Sequence, residues 1–563
     1  MKQVIVVFER PDIAAVLLLL PQIPEAEVWV FDPHLLDNLH DCGITGARFI
    51  DIRLQVDMPS HIAQVQARAL ATALQVEAGL HRLVPETEGG HWQHLNYYHL
   101  TSTFLQYELL WDRFLQGVTD TTFHIPVRDI AATYYAHSFL PSVLLLERLN
   151  IRGIPFSAHA HSRIDAIPQQ IPARLATEET SGYDLFVHLP TCIYDRDYYA
   201  DELAASGLRP LNFAAQNWNV PFPTMDTAEL ADAEAALADL REPQRQTIEA
   251  ALAELTAELE GYFGGRIRTP SFAQRQAVHL ASQYQAQLTF FYHLTNRFAR
   301  NPPQKLVLSN HDSGLHGPLI SFARAHNVPI LFLPHAKVFN WEIATRYRNV
   351  SALFHPVQGG AISDVAGRRV GAYPLMFREQ QQRSTATADR LANIGIVLNK
   401  FSLDGMVLMN LDDYLGGLRT LLSWCSQHGI RATLRSKPGG SCIRWLAAEL
   451  GVDIQTLSLG MAGTLADFAQ SCDLCIMYDA ATSGAIDLLR MSVPTLNTVF
   501  RAMSGEETSI VHDHLVPTLS VPATLEKLDG YRKDPTHLAI FRNEQFADYI
   551  GRFGRALPLR AYL

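Results

Sequence analysis

The stretch DLCIMYDAATSGAIDLLRMSVPTLN, Asp473 to Asn497, decides the fold. It reads as an apolar strand, a turn holding Thr482, Ser483 and Gly484, a helix beginning near Ala485, and a second strand VPTLN. Two short apolar runs joined through a helix lie parallel in one sheet, because the crossover must carry the chain back to the edge from which it started. Working outward, the same unit recurs in NIGIVLNK, LDDYLGGLRTLLSWCSQHG and IRATLRSKPGG, and in LVLSNHDSGLHGPLISFARAHNVPILFLPHAK (306–337). It recurs again near the start in QVIVVF (3–8), DIAAVLLLL (12–20) and AEVWVFD (26–32). Such alternation implies doubly wound parallel sheets.

At 563 residues the chain exceeds the size at which one hydrophobic core keeps growing. The reading is an α/β protein of two doubly wound, Rossmann-like domains with a cleft between them. Residues 1–225 form an N-terminal domain. A helical insertion at 226–300 is signalled by AELADAEAALADLREPQRQTIEAALAELTAELEGYF. The last strands of the first domain follow at 301–345, a second domain spans 346–525, and 526–563 form a helical tail.

A net charge of -11 argues against a nucleic-acid binder, which needs a basic face. No apolar run approaches the ~20 residues that cross a bilayer, and MKQVIVVFERPD reads as a strand rather than a secretion signal. The expectation is a cytoplasmic protein. Six cysteines without regular spacing make no disulfide framework, and Cys472 and Cys475 read as small core hydrophobes. Neither a GxxxxGK[S/T] loop nor a GxGxxG after the first strand is present.

In open parallel sheets ligands lie beyond the carboxyl ends of the strands, so polar residues directly after strands are the candidates. His311 and Asp312 follow KLVLSN, and His335 follows PILFLP. Arg435, Lys437, Gly439 and Gly440 end another strand as a phosphate cradle or, equally, a tight connection. His355 precedes the glycines of FHPVQGG. The Thr482-Ser483-Gly484 turn suits an anion at a helix start or serves as an ordinary N-cap, and SNHDSG has the same two readings. In the first domain His159 and His161 sit at i and i+2 on a strand, and Asp195 and Arg196 follow a strand. These four are read as acceptor-binding, with no metal ligand set placed.

TSGAIDLLRMSVPTLN resembles the S/T-S-x-x-x-E-A-x-x-x-G-x-P element of the GT-B glycosyltransferases, with Asp487 at the acidic position and Ser492 in place of glycine. LVLSNHDSGLHGPLISFARAHNVPILFLPHAK and RRVGAYPLM are similar to segments of bacterial surface-polysaccharide transferases, the capsule, polysialyl, Kdo and teichoic-acid types. The pattern covers roughly 306–500. It departs where the family's QHG is PHA and its HP is KPGG.

The resemblance implies transfer of a sugar from a nucleotide-activated donor, leaning to a CMP-activated acidic sugar such as Kdo or sialic acid, onto a bacterial surface glycan or glycolipid. The donor would meet Arg435, Lys437, Gly439, Gly440, Thr482, Ser483, Gly484, Asp487 and His355. Asp312 or His311 would take the acceptor proton, and His335 would donate to the leaving phosphate. Neither metal nor cofactor is called for, since cations and helix dipoles can stabilise the leaving group. Peripheral membrane association through the glycolipid is open. The rival readings are polyol-phosphate transfer from a CDP donor, a nucleotide-sugar epimerase, and a non-catalytic glycan-binding module.

Overall fold

A computed structural model of the protein describes residues 1–50, 58–87, 107–108, 110–129, 140–163, 182–189, 196–213, 220–225, 237–262, 272–309, 315–333, 350–355, 360–363, 369–376, 390–398, 411–436, 442–453, 463–479, 484–500 and 515–563. These residues form an α/β protein built on three sheets, parallel except for one edge strand.

The first sheet contains β1 (Lys2–Val7), β2 (Glu27–Val30), β3 (Arg48–Phe49), β4 (Thr121–Asp129) and β5 (Phe156–Arg163), in the order β3-β2-β1-β4-β5. Helices α1 (Ile13–Leu19), α2 (His34–Asp41), α3 (Met58–Leu83) and α4 (Leu140–Arg152) intervene along the chain. Val4 to Val7 are fully buried, as expected of a central parallel strand covered on both faces.

The second sheet takes β6 (Leu185–His188), β7 (Pro210–Asn212), β8 (Lys305–Ser309), β9 (Ile330–Leu333), β10 (Val350–His355), β11 (Gly360–Ser363) and β12 (Arg369–Pro374). Its order is β11-β12-β10-β9-β8-β6-β7, with β11 antiparallel to β12. The chain between these strands forms α5 (Arg196–Ala204), α6 (Ala238–Tyr262), α7 (Phe272–Phe298) and α8 (His316–Ala325). The long helices α6 and α7 lie side by side. Helix α3 crosses α6 so closely that a Cβ on Gly79 would lie 2.5 Å from the Thr247 methyl.

One buried cluster joins both sheets. It runs from Val4, Phe123 and Ile125 of the first through Leu80, Leu252, Tyr284 and Leu288 of the helices to Phe186, Leu306 and Phe332 of the second. The first two sheets therefore make one body. The sequence reading starts the second domain at 346, but β10 pairs with β9 and β12 with β10, so β10 to β12 belong to this first body. Hydrogen-bond pairing, which local pattern does not encode, sets that boundary.

The third sheet, in the order β14-β13-β15-β16-β17, uses β13 (Asn393–Leu398), β14 (Arg431–Arg435), β15 (Leu474–Tyr478), β16 (Thr495–Val499) and β17 (Thr518–Ser520). Around it lie α9 (Leu411–Gln427), α10 (Ile443–Leu450), α11 (Leu465–Gln470), α12 (Gly484–Arg490), α13 (Val521–Lys533) and α14 (Pro535–Phe553). Caps set several helix ends. Thr464 and Asp467 form a capping box on α11, and Asp534 accepts the Thr536 N–H at the start of α14.

Among the described residues the two bodies meet at two places. Asp37 of α2 accepts the main-chain N–H of Ile443 at 2.7 Å and of Arg444 at 3.4 Å, and Phe49 meets Trp445 edge to face at 5.5 Å. After α14 the chain returns to the first body. Met376 N–H donates to the Leu557 carbonyl at 2.9 Å, Tyr562 hydroxyl donates to the Pro374 carbonyl at 2.8 Å, and Lys305 donates to main-chain oxygens of Tyr562 and Leu563.

Candidate functional site

Strand order locates each sheet's crevice where neighbouring connections diverge: between β1 and β4, between β6 and β8, and between β13 and β15. The contact of Asp37 with Ile443 bears on which crevices face one another. Helix α2 starts beyond the carboxyl end of β2, and α10 starts beyond the carboxyl end of β14. Asp32, just past β2, is close enough to Cys442 to help raise that thiol's pKa, although burial is the larger cause. The carboxyl edges of the first and third sheets thus approach one another across the junction, as a cleft that holds ligand between two α/β bodies requires.

On the first body, β1 runs into a 3-10 turn, Arg10–Asp12, with Pro11 in its first positions. The buried Asp12 carboxylate accepts the N–H of Phe8 at 3.1 Å and of Glu9 at 2.9 Å through Oδ2. Its Oδ1 faces His161 Nε2 at 3.2 Å. Strand β5 pairs Ala160 with Val127 and Ser162 with Arg128, so His161 is the extra residue of a bulge. A bulge re-aims a side chain, and here the imidazole reaches across β4 to the turn after β1. The alternation expected for His159 and His161 is broken accordingly. His159 Nε2 instead meets His124 Nδ1 at 3.0 Å, and His124 Nε2 meets Gln3 Oε1 at 2.8 Å, a row across β5, β4 and β1. Burial, and secondarily His159, lowers the His124 pKa.

On the second body, Arg435 ends β14 buried. Its Nη2 donates to the Gly463 carbonyl at 3.0 Å, and the guanidinium lies 5.6 Å from the Phe468 ring. Burial lowers its pKa, against the pull of Asp467. Asp479 directly follows β15, buried, with φ at 78°, and its N–H donates to the Thr498 carbonyl at 2.8 Å. A non-glycine residue in the left-handed region costs of order 1 kcal/mol and persists where its surroundings impose it. Gly484 and Asp487 lie in the first turn of α12, each half-buried. Ser492, where the resemblance expects glycine, has φ at 59°.

Of the candidates read from sequence, His311, Asp312, His335, Lys437, Gly439, Gly440, Thr482, Ser483 and Asp195 lie outside the described residues. The strands before them are described. Strands β8 and β9 are parallel neighbours, so their last residues, Ser309 and Leu333, end on the same edge of the seven-stranded sheet. His355 ends β10 in that sheet, in the first body, and its side chain is outside the description. Arg196 opens α5, beyond β6, whereas His159 and His161 stand on the first sheet. The acceptor candidates are therefore split between two sheets. Arg435, Gly484 and Asp487 share the third sheet's layer.

Sequence reasoning missed Asp12 and Asp479. Each is an acidic residue soon after a buried strand, the signal applied to Asp312 but not to FERPD or MYDAA. It also missed Asp37, whose partner is 406 residues away. Among the described residues no group of three His, Cys, Asp or Glu is arranged to hold a metal, and no helix is long and apolar enough to cross a membrane.

Comparison with known proteins finds likeness among solved structures alone. Neither a family model nor a curated protein matches the sequence. Among solved structures, Acinetobacter baumannii MurG is 10% identical, with 67% of this chain and 97% of that one covered and a TM-score of 0.36. The glycosyltransferase SnogD from Streptomyces nogalater is 12% identical over 68% and 98%, with a TM-score of 0.33. A putative UDP-N-acetylglucosamine 2-epimerase from Listeria monocytogenes is 9% identical over 66% and 92%, with a TM-score of 0.35.

Proposed function

We propose that the chain is a glycosyltransferase that moves a sugar from a nucleotide-activated donor to a glycan acceptor. The observation that carries this reading is the approach of two carboxyl strand edges from separate α/β bodies, marked by Asp32 and Asp37 on one side and by Cys442 and Ile443 on the other. Transfer between two bound substrates needs such an arrangement, with each substrate held by its own sheet and the reacting atoms between them.

In this reading the donor lies on the third sheet. Lys437, Gly439 and Gly440 after β14, and Thr482, Ser483 and Gly484 after β15, supply a cation, hydroxyls and main-chain N–H groups to its phosphate. Asp487 meets the nucleoside sugar. Arg435 acts less directly, because its guanidinium already holds the Gly463 carbonyl and stacks near Phe468. The acceptor lies on the first body, reached by His159, His161, Asp195, Arg196 and His355. His335 serves the leaving phosphate, and His311 and Asp312 flank the acceptor. The donor is a CMP-activated acidic sugar, the acceptor a bacterial surface glycan or its lipid-linked form met at a membrane surface, and the reaction proceeds without a metal.

A thermal-shift screen of the full chain against CMP, CDP, UDP, GDP and TDP tests the reading, since a ligand that binds only the folded state raises apparent stability by mass action. A shift with CMP that is lost in Lys437→Ala supports it. Absence of a shift with every nucleotide refutes it, and a shift with UDP alone refutes the choice of donor base. Activity that collapses with chelator refutes metal independence.

A further inference from the structure

We infer that His161 is the base that takes the acceptor's proton and that Asp12 is the residue that positions it, an assignment that rests on the transferase reading above. The inference starts from the backbone. The only register break between β4 and β5 falls at His161, and it turns that side chain toward the crevice between β1 and β4. There it meets a carboxylate already fixed by the N–H groups of Phe8 and Glu9.

Those bonds define the chemistry. Asp12 Oδ2 accepts two main-chain N–H groups and Oδ1 is an acceptor toward the ring, so the imidazole nitrogen facing it is the donor of that bond and carries the hydrogen. With hydrogen on Nε2, the neutral ring has its lone pair on Nδ1, and no hydrogen bond engages that atom among the described residues. Nδ1 is then the acceptor for a sugar hydroxyl. As the hydroxyl oxygen attacks the anomeric carbon, its proton passes to Nδ1. The anomeric carbon to phosphate-oxygen bond breaks, and its electron pair leaves with the nucleoside phosphate. Asp12 stabilises the imidazolium that results, and water later removes the proton.

Position favours this pair. Asp12 lies on the edge of the first sheet that also carries Asp32 and α2, the elements that meet the second body. The pair His188 and His316 of the seven-stranded sheet has no such outlook. His188 is wholly buried, bonds the Phe213 carbonyl, and has a pKa pushed down to about 3 by burial.

The test uses the full chain and two substitutions with two readouts. Nucleotide release is followed from CMP-activated sialic acid, CMP-activated Kdo and UDP-N-acetylglucosamine, with and without a bacterial glycolipid fraction as acceptor. His161→Gln is expected to lower kcat at least ~100-fold, the usual range for losing a general base, with donor KM and the nucleotide thermal shift unchanged. Asp12→Asn keeps an oxygen for the Phe8 and Glu9 N–H groups but turns an NH2 toward Nε2, which must then accept. The tautomer flips and kcat falls by a similar factor. Nitrogen-15 NMR of histidine-labelled protein, with the His161 signals assigned by their loss in His161→Gln, reads that flip directly.

Wild-type kcat in His161→Gln, with the loss found in Asp312→Asn instead, overturns the proposal and leaves the transferase reading intact. A protonated Nδ1 in the wild-type protein overturns it whatever the activity. No thermal shift and no acceptor-dependent release in the wild type overturns the transferase reading, and this inference with it.

Discussion

Asp37 is the point at which one substitution should loosen the junction between the two bodies while leaving each body folded. Helix α10 begins at Ile443 with no side-chain cap from its own N-cap residue, Cys442. Asp37, on the other body, supplies that cap and lies 3.5 Å from Arg444 Nε. Loss of an N-cap costs about 1 kcal/mol, and the half-exposed ion pair adds a few tenths. Asp37→Ala should therefore shift the docked state by about 1–2 kcal/mol, a factor of roughly 5–30. Hydrogen exchange of the 442–450 segment reads this directly, and the Ile443 and Arg444 amides should exchange faster by that factor. Asp37→Asn keeps an oxygen acceptor and should stay within about threefold of wild type. The pH dependence has a definite sign. Burial raises the Asp37 pKa despite the opposing bonds from Ile443 and Arg444, so its ionisation works against docking. Its contribution is fullest below the unfolded value and is lost as pH rises through the folded one. Protection at α10 in the wild type, relative to Asp37→Asn, should fall on going from acid to neutral pH. Unchanged exchange in Asp37→Ala would refute the cap as the holding contact.

The sites inside each body give further expectations. Ser492→Gly should raise stability by about 0.5–1 kcal/mol in chemical denaturation, because glycine removes the left-handed penalty at φ 59° and returns only part of it as chain entropy. Gly395→Ala in β13 should destabilise by about 1–3 kcal/mol, since the new methyl would lie 2.6 Å from Cys472 Sγ and 2.7 Å from Phe468 Cζ. His188 has a folded pKa near 3, so its contribution to stability is present above the unfolded value and is lost as pH falls from about 6.5 toward about 3. The melting temperature of His188→Asn should depend less steeply on pH than that of wild type over that interval, and equal slopes would refute a neutral buried His188.

The fold class was legible because a doubly wound sheet writes itself locally, as apolar run, turn, amphipathic run, apolar run. Val4–Val7 and Leu474–Tyr478 look alike in sequence and are alike in burial. Sheet membership was less legible. QVIVVF and YDLFVHLP read as strands of one domain, yet they stand in separate sheets that share a core through the α3, α6 and α7 helices. The assignment of β10 to the second domain failed for the same reason, since a strand's own residues do not name its neighbour. The sequence placed Arg435 at a strand end and Asp487 in the first turn of a helix, where the structure has them, but not the direction of His161, which depends on a bulge. Ser492 shows the opposite case. A position named by resemblance as glycine keeps a glycine-like backbone even with serine in it.

Arg435 clarifies how a site of this kind divides its work. A guanidinium at a strand end invites assignment to phosphate, but this one is buried, donates to the Gly463 carbonyl and lies over Phe468. It therefore fixes the segment that starts α11, whose Thr464 and Asp467 cap each other. An arginine spent in this way stiffens the wall of the crevice rather than filling it. In the transferase reading proposed above, the charge for a donor phosphate is assigned instead to Lys437, two residues on in LRSKPGGS. The first body repeats the division. Asp12 is held by main-chain N–H groups and in turn fixes His161, while the imidazole's second nitrogen is left to act. On both sides of the junction a buried, hydrogen-bonded charge holds its surroundings in place, which is how a site can be rigid without spending its reactive groups on its own rigidity.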